Sequence, residues 1–170
     1  VLYEFIEHLP KNGNEAILHL FNTVWSSGIL PDDWHHSIVI PILKAGKPPE
    51  TLGSYRPISL TSTLCKLMER MVTSRLVWYL EKHKLLNNTQ CGFRKNRSTL
   101  EHIIRLQDNI TKYNHNSGYT LAVFLDFEKA FDMLWRKGLH IKLHNKGIRG
   151  NILNFINNFL TNRTLEVRIG

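Results

Sequence analysis

Residues 118–136 read GYTLAVFLDFEKAFDMLWR. Leu121 to Leu125 form an apolar run that ends on Asp126, and Glu128, Phe131 and Asp132 follow. Preceded by the turn-like NHNSGY, the run predicts a buried strand over LAVFLDF, with a helical stretch from about Glu128. A carboxylate at the end of an apolar strand is costly unless it is paired or bound to a cation. Asp126 therefore supports two readings. It could hold Mg²⁺ for phosphoryl chemistry, as carboxylates in such sites do. Alternatively it caps the next helix, with Glu128 favourable near the helix start. Phe131 is equally open between core packing against Phe127 and Leu134 and a role toward a ligand.

Upstream, NEAILHLFNTVWSSG spaces Ile17, Leu20, Phe21, Val24 and Trp25 as one helical face, with Asn14 able to cap its start and Gly28 its end. LPDDW is a turn. HSIVIPILK predicts a strand, although Pro41 argues for an edge or a bulge. KAGKPPETLGSYRP is a Gly/Pro-rich connection carrying Lys44 and Lys47, and RPISL is a short extended segment. TSTLCKLMERMVTSRLVWYLEKHK carries Leu64, Met68, Met71, Val72, Leu76 and Leu80 on one stripe, the strongest helical pattern in the chain. The loop NNTQCGFRKNR follows. Ser98-x-x-Glu101 is a capping box that opens an amphipathic helix through Leu100, Ile103, Ile104 and Ile110. Downstream of the opening stretch, GLHIKLHNKGI and NILNFINNFLTNR predict two helices, and TLEVRIG alternates as a strand.

A chain of 170 residues can bury a sizeable core, and 42% hydrophobic with 21% charged residues excludes a disordered composition. Lys and Arg outnumber Asp and Glu by 22 to 14, a net charge of +8 that suits a polyanionic partner. The alternative for that surplus, as for the basic loop Arg94, Lys95, Asn96, Arg97, is a solvated surface. Cys65 and Cys91 lie in no metal-ligand spacing and are expected to be buried free thiols in a reducing compartment. Neither His35-His36 nor His140 with His144 is read as a metal pair. No apolar run approaches a membrane span. The order of elements predicts an α+β or mixed α/β unit, and the strand that ends at Gly170 is expected to continue.

The combination is more specific than any of its parts. YRPISLTSTLCKLMER, QCGFRKNRST and AVFLDFEKAFDMLW, in that order and at these separations, resemble the reverse transcriptases of non-LTR retrotransposons, with the jockey-like elements of animals as the nearest likeness. FNTVWSSGILPDDWHHSIVIPILKAGK is similar to the segment ahead of the first core block, and the stretch from Gly138 to Gly170 is similar to the helical part after the first catalytic block. The likeness runs from about residue 14 to the end of the chain.

This resemblance implies an α+β right-hand polymerase fold, helix-rich with a partial antiparallel palm sheet. Residues 1–36 would form an N-terminal helical extension, 37–118 the fingers and 119–170 the first part of the palm. Asp126 would be catalytic and hold two Mg²⁺ ions, or Mn²⁺, with the backbone carbonyl of Phe127 as a further ligand. Phe131 would lie beneath the incoming sugar and select dNTP over rNTP. Lys129 and Ala130 would offer backbone N–H groups to the triphosphate at a helix start. Arg56 would grip its phosphates, with Lys44 or Lys47 as partner. Gln90, Gly92, Phe93 and Arg94 would lie near the template. The implied partners are an RNA template, a DNA primer and dNTP, without a membrane, and the implied setting is intracellular with action in the nucleus. The family's Gln-Gly-Ser block and Tyr-Ala-Asp-Asp hairpin do not occur in the sequence, so these 170 residues alone are expected not to polymerise. Two other readings stand beside this one: a non-catalytic nucleic-acid-binding remnant of a decayed element, and a Mg²⁺-dependent phosphohydrolase with Asp126 as nucleophile. The latter would place a second aspartate two residues on, where this chain has Glu128.

Overall fold

The computed structural model describes residues 3–115 and 118–169. Their order is α1 (Tyr3–Glu7), α2 (Lys11–Ser27), α3 (Asp32–His35), β1 (His36–Leu43), β2 (Tyr55–Leu60), α4 (Thr63–Lys82), α5 (Thr99–His115), α6 (Arg136–Asn145), α7 (Asn151–Leu160) and β3 (Thr164–Val167). This is an α+β chain, rich in helix. It divides into two compact units, one of residues 1–74 with 135–170 and one of residues 75–134.

The first unit holds the core. Amphipathic α2 buries Phe21 and Val24, and Gly28 ends it at φ 69, a left-handed value that suits glycine, with its N–H bonded to Val24 O at 2.9 Å. The helix starts at Lys11, one turn before the expected cap, and Asn14 Nδ2 donates back to Leu9 O at 3.3 Å. Leu30 and Trp34 from the α3 turn, Cys65, Met68 and Val72 from α4, and Phe155 from α7 complete one buried cluster. Phe21 and Trp34 meet edge to face with centroids 6.2 Å apart, and Phe155 stacks on Phe159 at 6.0 Å.

The sheet of this unit has the order β2-β1-β3. β1 runs antiparallel to β2, in register from Ile38↔Leu60 to Leu43↔Tyr55, and parallel to β3 from His36↔Thr164 to Val39↔Val167. Pro41 faces Pro57 across the ladder. Lys44 N donates to Ser54 O at 2.8 Å, and ladder bonds alternate along an antiparallel pair, so the proline pair falls at a site where neither residue owes a bond to the other. The adjoining histidines are structural. His35 Nδ1 lies 3.1 Å from Thr161 O and His36 Nδ1 lies 3.2 Å from Thr164 Oγ1, joining the start of β1 to the end of α7 and to β3.

The expected antiparallel palm sheet is corrected by this mixed one, and the expected strand LAVFLDF is absent from it. Residues 121–127 have no regular structure, and Leu121, Val123, Phe124, Leu125 and Phe127 are all largely exposed. A strand exists only where another strand satisfies its N–H and C=O groups, and none of the described residues supplies that ladder. The helix expected from Glu128 is also absent. Residues 128–133 are turns, and Lys129 at φ 51 is in a left-handed conformation that no α-helix passes through, so α6 starts only at Arg136.

Candidate functional site

The expected site residues fall into three groups. Lys44 and Arg56 sit toward the turn end of the β1–β2 hairpin, Arg56 opposite Ile42 and exposed on β2. Lys44 Nζ donates to Gly53 O at 2.9 Å, which ties the connection 44–54 across its own base, while Lys47 is exposed on it.

Gln90, Gly92, Phe93 and Arg94 form the second group, in the loop between α4 and α5. Arg94 is the anchor of that loop. Its Nε and Nη2 bind both carboxylate oxygens of Glu81 at 2.7 and 2.6 Å, and its Nη1 donates to Asn87 O at 2.8 Å and Gln90 O at 3.2 Å. This is the fork geometry that guanidinium supplies and ammonium does not. The hydrogen bond from Arg94 holds the Glu81 carboxyl below the usual carboxylate range, and Glu81 in return raises Arg94. Arg97 pairs with Glu101 at 2.9 Å, and Glu101 also bonds the Ser98 backbone as the capping box predicts. Cys91 is buried beneath, its Sγ 3.6 Å from Glu101 Oε2. Cys65 is buried too, as expected, and burial pushes its thiol up to about 11. Phe93 points the other way: it is 94% exposed with φ 59.

The third group is Asp126 to Phe131. Asp126 is exposed, and since no helix begins near it, its reading as a helix cap is overturned. Phe131 is 85% exposed, so it is not core in this chain. Lys129 and Ala130 lie in a turn, not at the helix start that was to aim their N–H groups at an anion. Among the described residues no three His, Cys, Asp or Glu side chains come together as a metal cluster. Asp126 and the Phe127 carbonyl are oxygen donors, the class that Mg²⁺ takes, but they fit such an ion in kind and not in number.

Glu81 was not legible as a partner of Arg94, because thirteen residues of helix end and loop separate them. Arg97, read from sequence as part of the basic loop, was missed as the partner of Glu101, although i,i+4 spacing at a helix start is the signal for such a pair.

Residues 42–169, which contain all three groups, match the reverse transcriptase (RNA-dependent DNA polymerase) family. The chain belongs to that family. This chain is 36% identical over 157 residues to the probable RNA-directed DNA polymerase from transposon BS of Drosophila melanogaster, covering 91% of this chain and 17% of that protein. It is 32% identical over 164 residues to the RNA-directed DNA polymerase from mobile element jockey of the same fly, covering 96% of this chain and 18% of the relative. A third relative, the probable RNA-directed DNA polymerase from transposon X-element, is 30% identical over 163 residues, 96% of this chain and 18% of its own length. The chain thus spans less than a fifth of the length of these relatives. Among its described residues no helix is long and apolar enough to cross a membrane.

Proposed function

We propose that the chain is the fingers and first palm portion of an RNA-directed DNA polymerase of the non-LTR retrotransposon type, with residues 1–36 as an extension, 37–118 as fingers and 119–170 as palm. The observation that carries this reading is the match of residues 42–169 to the reverse transcriptase family, within which Asp126 is an exposed carboxylate with no helix to cap. The substrates are dNTP, a DNA primer and an RNA template, and the place of action is the nucleus.

Asp126 is the first metal-holding carboxylate, with the Phe127 carbonyl beside it. They would hold Mg²⁺ jointly with carboxylates from other segments, and the bound ions would activate the primer hydroxyl and neutralise phosphate charge. Phe131 gauges the sugar. Arg56 with Lys44 or Lys47 binds the triphosphate through charge-assisted hydrogen bonds. Gln90, Gly92, Phe93 and Arg94 form the template side. The net charge of +8 supports a phosphate-rich partner.

The test is primer extension by a longer chain that carries this segment together with Gln-Gly-Ser and Tyr-Ala-Asp-Asp blocks. Asp126→Ala is expected to abolish dNTP incorporation with the circular dichroism spectrum unchanged, and incorporation near the parent rate would remove Asp126 from the metal site. Phe131→Val is expected to admit rNTPs; unchanged sugar selectivity would remove Phe131 from the nucleotide site.

A further inference from the structure

The loop between α4 and α5 carries a division of labour that goes beyond the family assignment. We infer that Arg94 does not touch nucleic acid but, clamped by Glu81, positions Phe93 as a stacking platform for a base of single-stranded RNA. This rests on the proposal that the loop faces the template, and it changes the role of Arg94 within it.

Four of the five N–H groups of Arg94 are already taken. Its three nitrogens are engaged by two carboxylate oxygens and two backbone carbonyls, and its side chain is only 8% exposed. A phosphate could take the fork of Arg94 only by displacing Glu81 or a backbone carbonyl. What the clamp secures is the path of the chain: Asn87 O and Gln90 O are drawn to the same guanidinium that Glu81 holds at the end of α4. Gln90 Nε2 donates to Gly92 O at 3.3 Å, and Asn87 Oδ1 accepts from Thr89 N at 2.9 Å, so the turn is braced from within. Cys91 is packed inward at 3% exposure.

Between those inward anchors, Phe93 is turned fully outward. A bulky residue in the left-handed region is uncommon and persists only where its surroundings enforce it. The neighbours on either side supply that enforcement: Cys91 buried on one and Arg94 clamped on the other. Apart from its chain neighbours, a Cβ added at Gly92 would meet nothing within 4 Å, so the fold itself does not require glycine there. An exposed aromatic face with open backbone next to it, flanked by exposed Lys95, is the arrangement that binds a base by stacking and a backbone by charge. Stacking is tolerant of sequence, as copying a whole template requires.

The experiment titrates the 170-residue chain with a uridine-rich RNA oligonucleotide containing one 2-aminopurine, reading affinity by anisotropy and stacking by fluorescence quenching at several salt concentrations. Phe93→Ala is expected to remove the quenching. Glu81→Gln and Arg94→Gln are expected to weaken quenching equally, with no further loss in the double variant and an unchanged salt slope. Arg94→Lys should not rescue, since it lacks the fork. Lys95→Gln, by contrast, should reduce the slope of log affinity against log salt by about 0.7, one phosphate contact on a single strand. A slope reduced by about 0.7 in Arg94→Gln, with Glu81→Gln binding as well as the parent, would overturn the inference and make Arg94 a phosphate contact. If the parent does not bind the oligonucleotide, the nucleic-acid reading of the loop fails, and hydrogen exchange then decides the clamp alone. Faster exchange at residues 87–94 in Glu81→Gln upholds the positioning role, and unchanged exchange refutes it.

Discussion

Shortening Leu125 to alanine separates two accounts of the stretch from Leu121 to Phe127. If the run were the buried strand that its apolar pattern suggests, Leu125→Ala would leave a cavity and cost about 2–5 kcal/mol. In the structure Leu125 is 89% exposed, so only about a tenth of its surface is shielded from water. Full burial of a leucine is worth about 1.5–3 kcal/mol, and a tenth of that is about 0.2–0.3 kcal/mol. The reference is Phe155→Ala in the core cluster, where a ring only 2% exposed is lost at about 3–5 kcal/mol. In a chain of this size each kcal/mol moves Tm by about 2–4 °C, so Phe155→Ala should lower the melting point by about 6–20 °C and Leu125→Ala by about 1 °C or less. Thermal unfolding of the 170-residue chain followed by far-ultraviolet circular dichroism measures both. A drop in Leu125→Ala comparable to that in Phe155→Ala would refute the exposed conformation and restore the strand.

Gly28→Ala should destabilise the first unit by about 1 kcal/mol, read as a shift in the urea midpoint, because alanine must adopt φ near 69 to keep the end of α2. The clamp between Glu81 and Arg94 should outlast ordinary carboxylates on acidification. Glu81 titrates below its unfolded value, so the contribution of the pair is present above the unfolded pKa and is lost as pH falls through the lowered one. Exchange protection at residues 87–94 that already fades at the pH of an ordinary glutamate would contradict this. Cys65 and Cys91 should both resist a thiol reagent at pH 8 until urea unfolds the chain, Cys65 because with its thiol at about 11 only ~1 in 1,000 molecules carries the thiolate; rapid labelling of two thiols in the native chain would count against their burial.

The parts of this fold that were legible in sequence are those whose information is local. The α2 stripe, the α4 stripe apart from exposed Met71, the Gly28 stop, the capping box at Ser98 and the strands at Ile38 and Leu165 all follow from spacing within one element. The stretch 118–136 misled because an apolar run states what a segment can bury but not whether a partner is present to bury it. Leu121, Phe124 and Phe127 have the composition of a core strand and lack a ladder among the described residues. Lys129 gave no warning of its left-handed φ. The family was legible as a set of motifs, through the order of the blocks around Arg56, Gly92 and Asp126. What spacing could not convey was commitment: Arg94 looked like a phosphate seeker because its carboxylate partner lies on another element.

The opposed prolines of the hairpin bear on how this chain keeps to itself. At a register site without mutual bonds, each residue's amide position points away from its partner, toward the flanks of the sheet. At Pro57 that flank is the open side of β2, and at Pro41 it is the β3 side of β1, just past the bond from Arg168 N to Val39 O at 3.0 Å. Neither position has a hydrogen to give. An incoming strand from a second molecule would find a gap in the donor row of the β2 edge at Pro57, and Pro41 gives no donor with which to lengthen the ladder to β3. Two residues thereby shield a short, otherwise exposed β-ribbon from serving as a template for aggregation, and they do so without adding charge near Arg56.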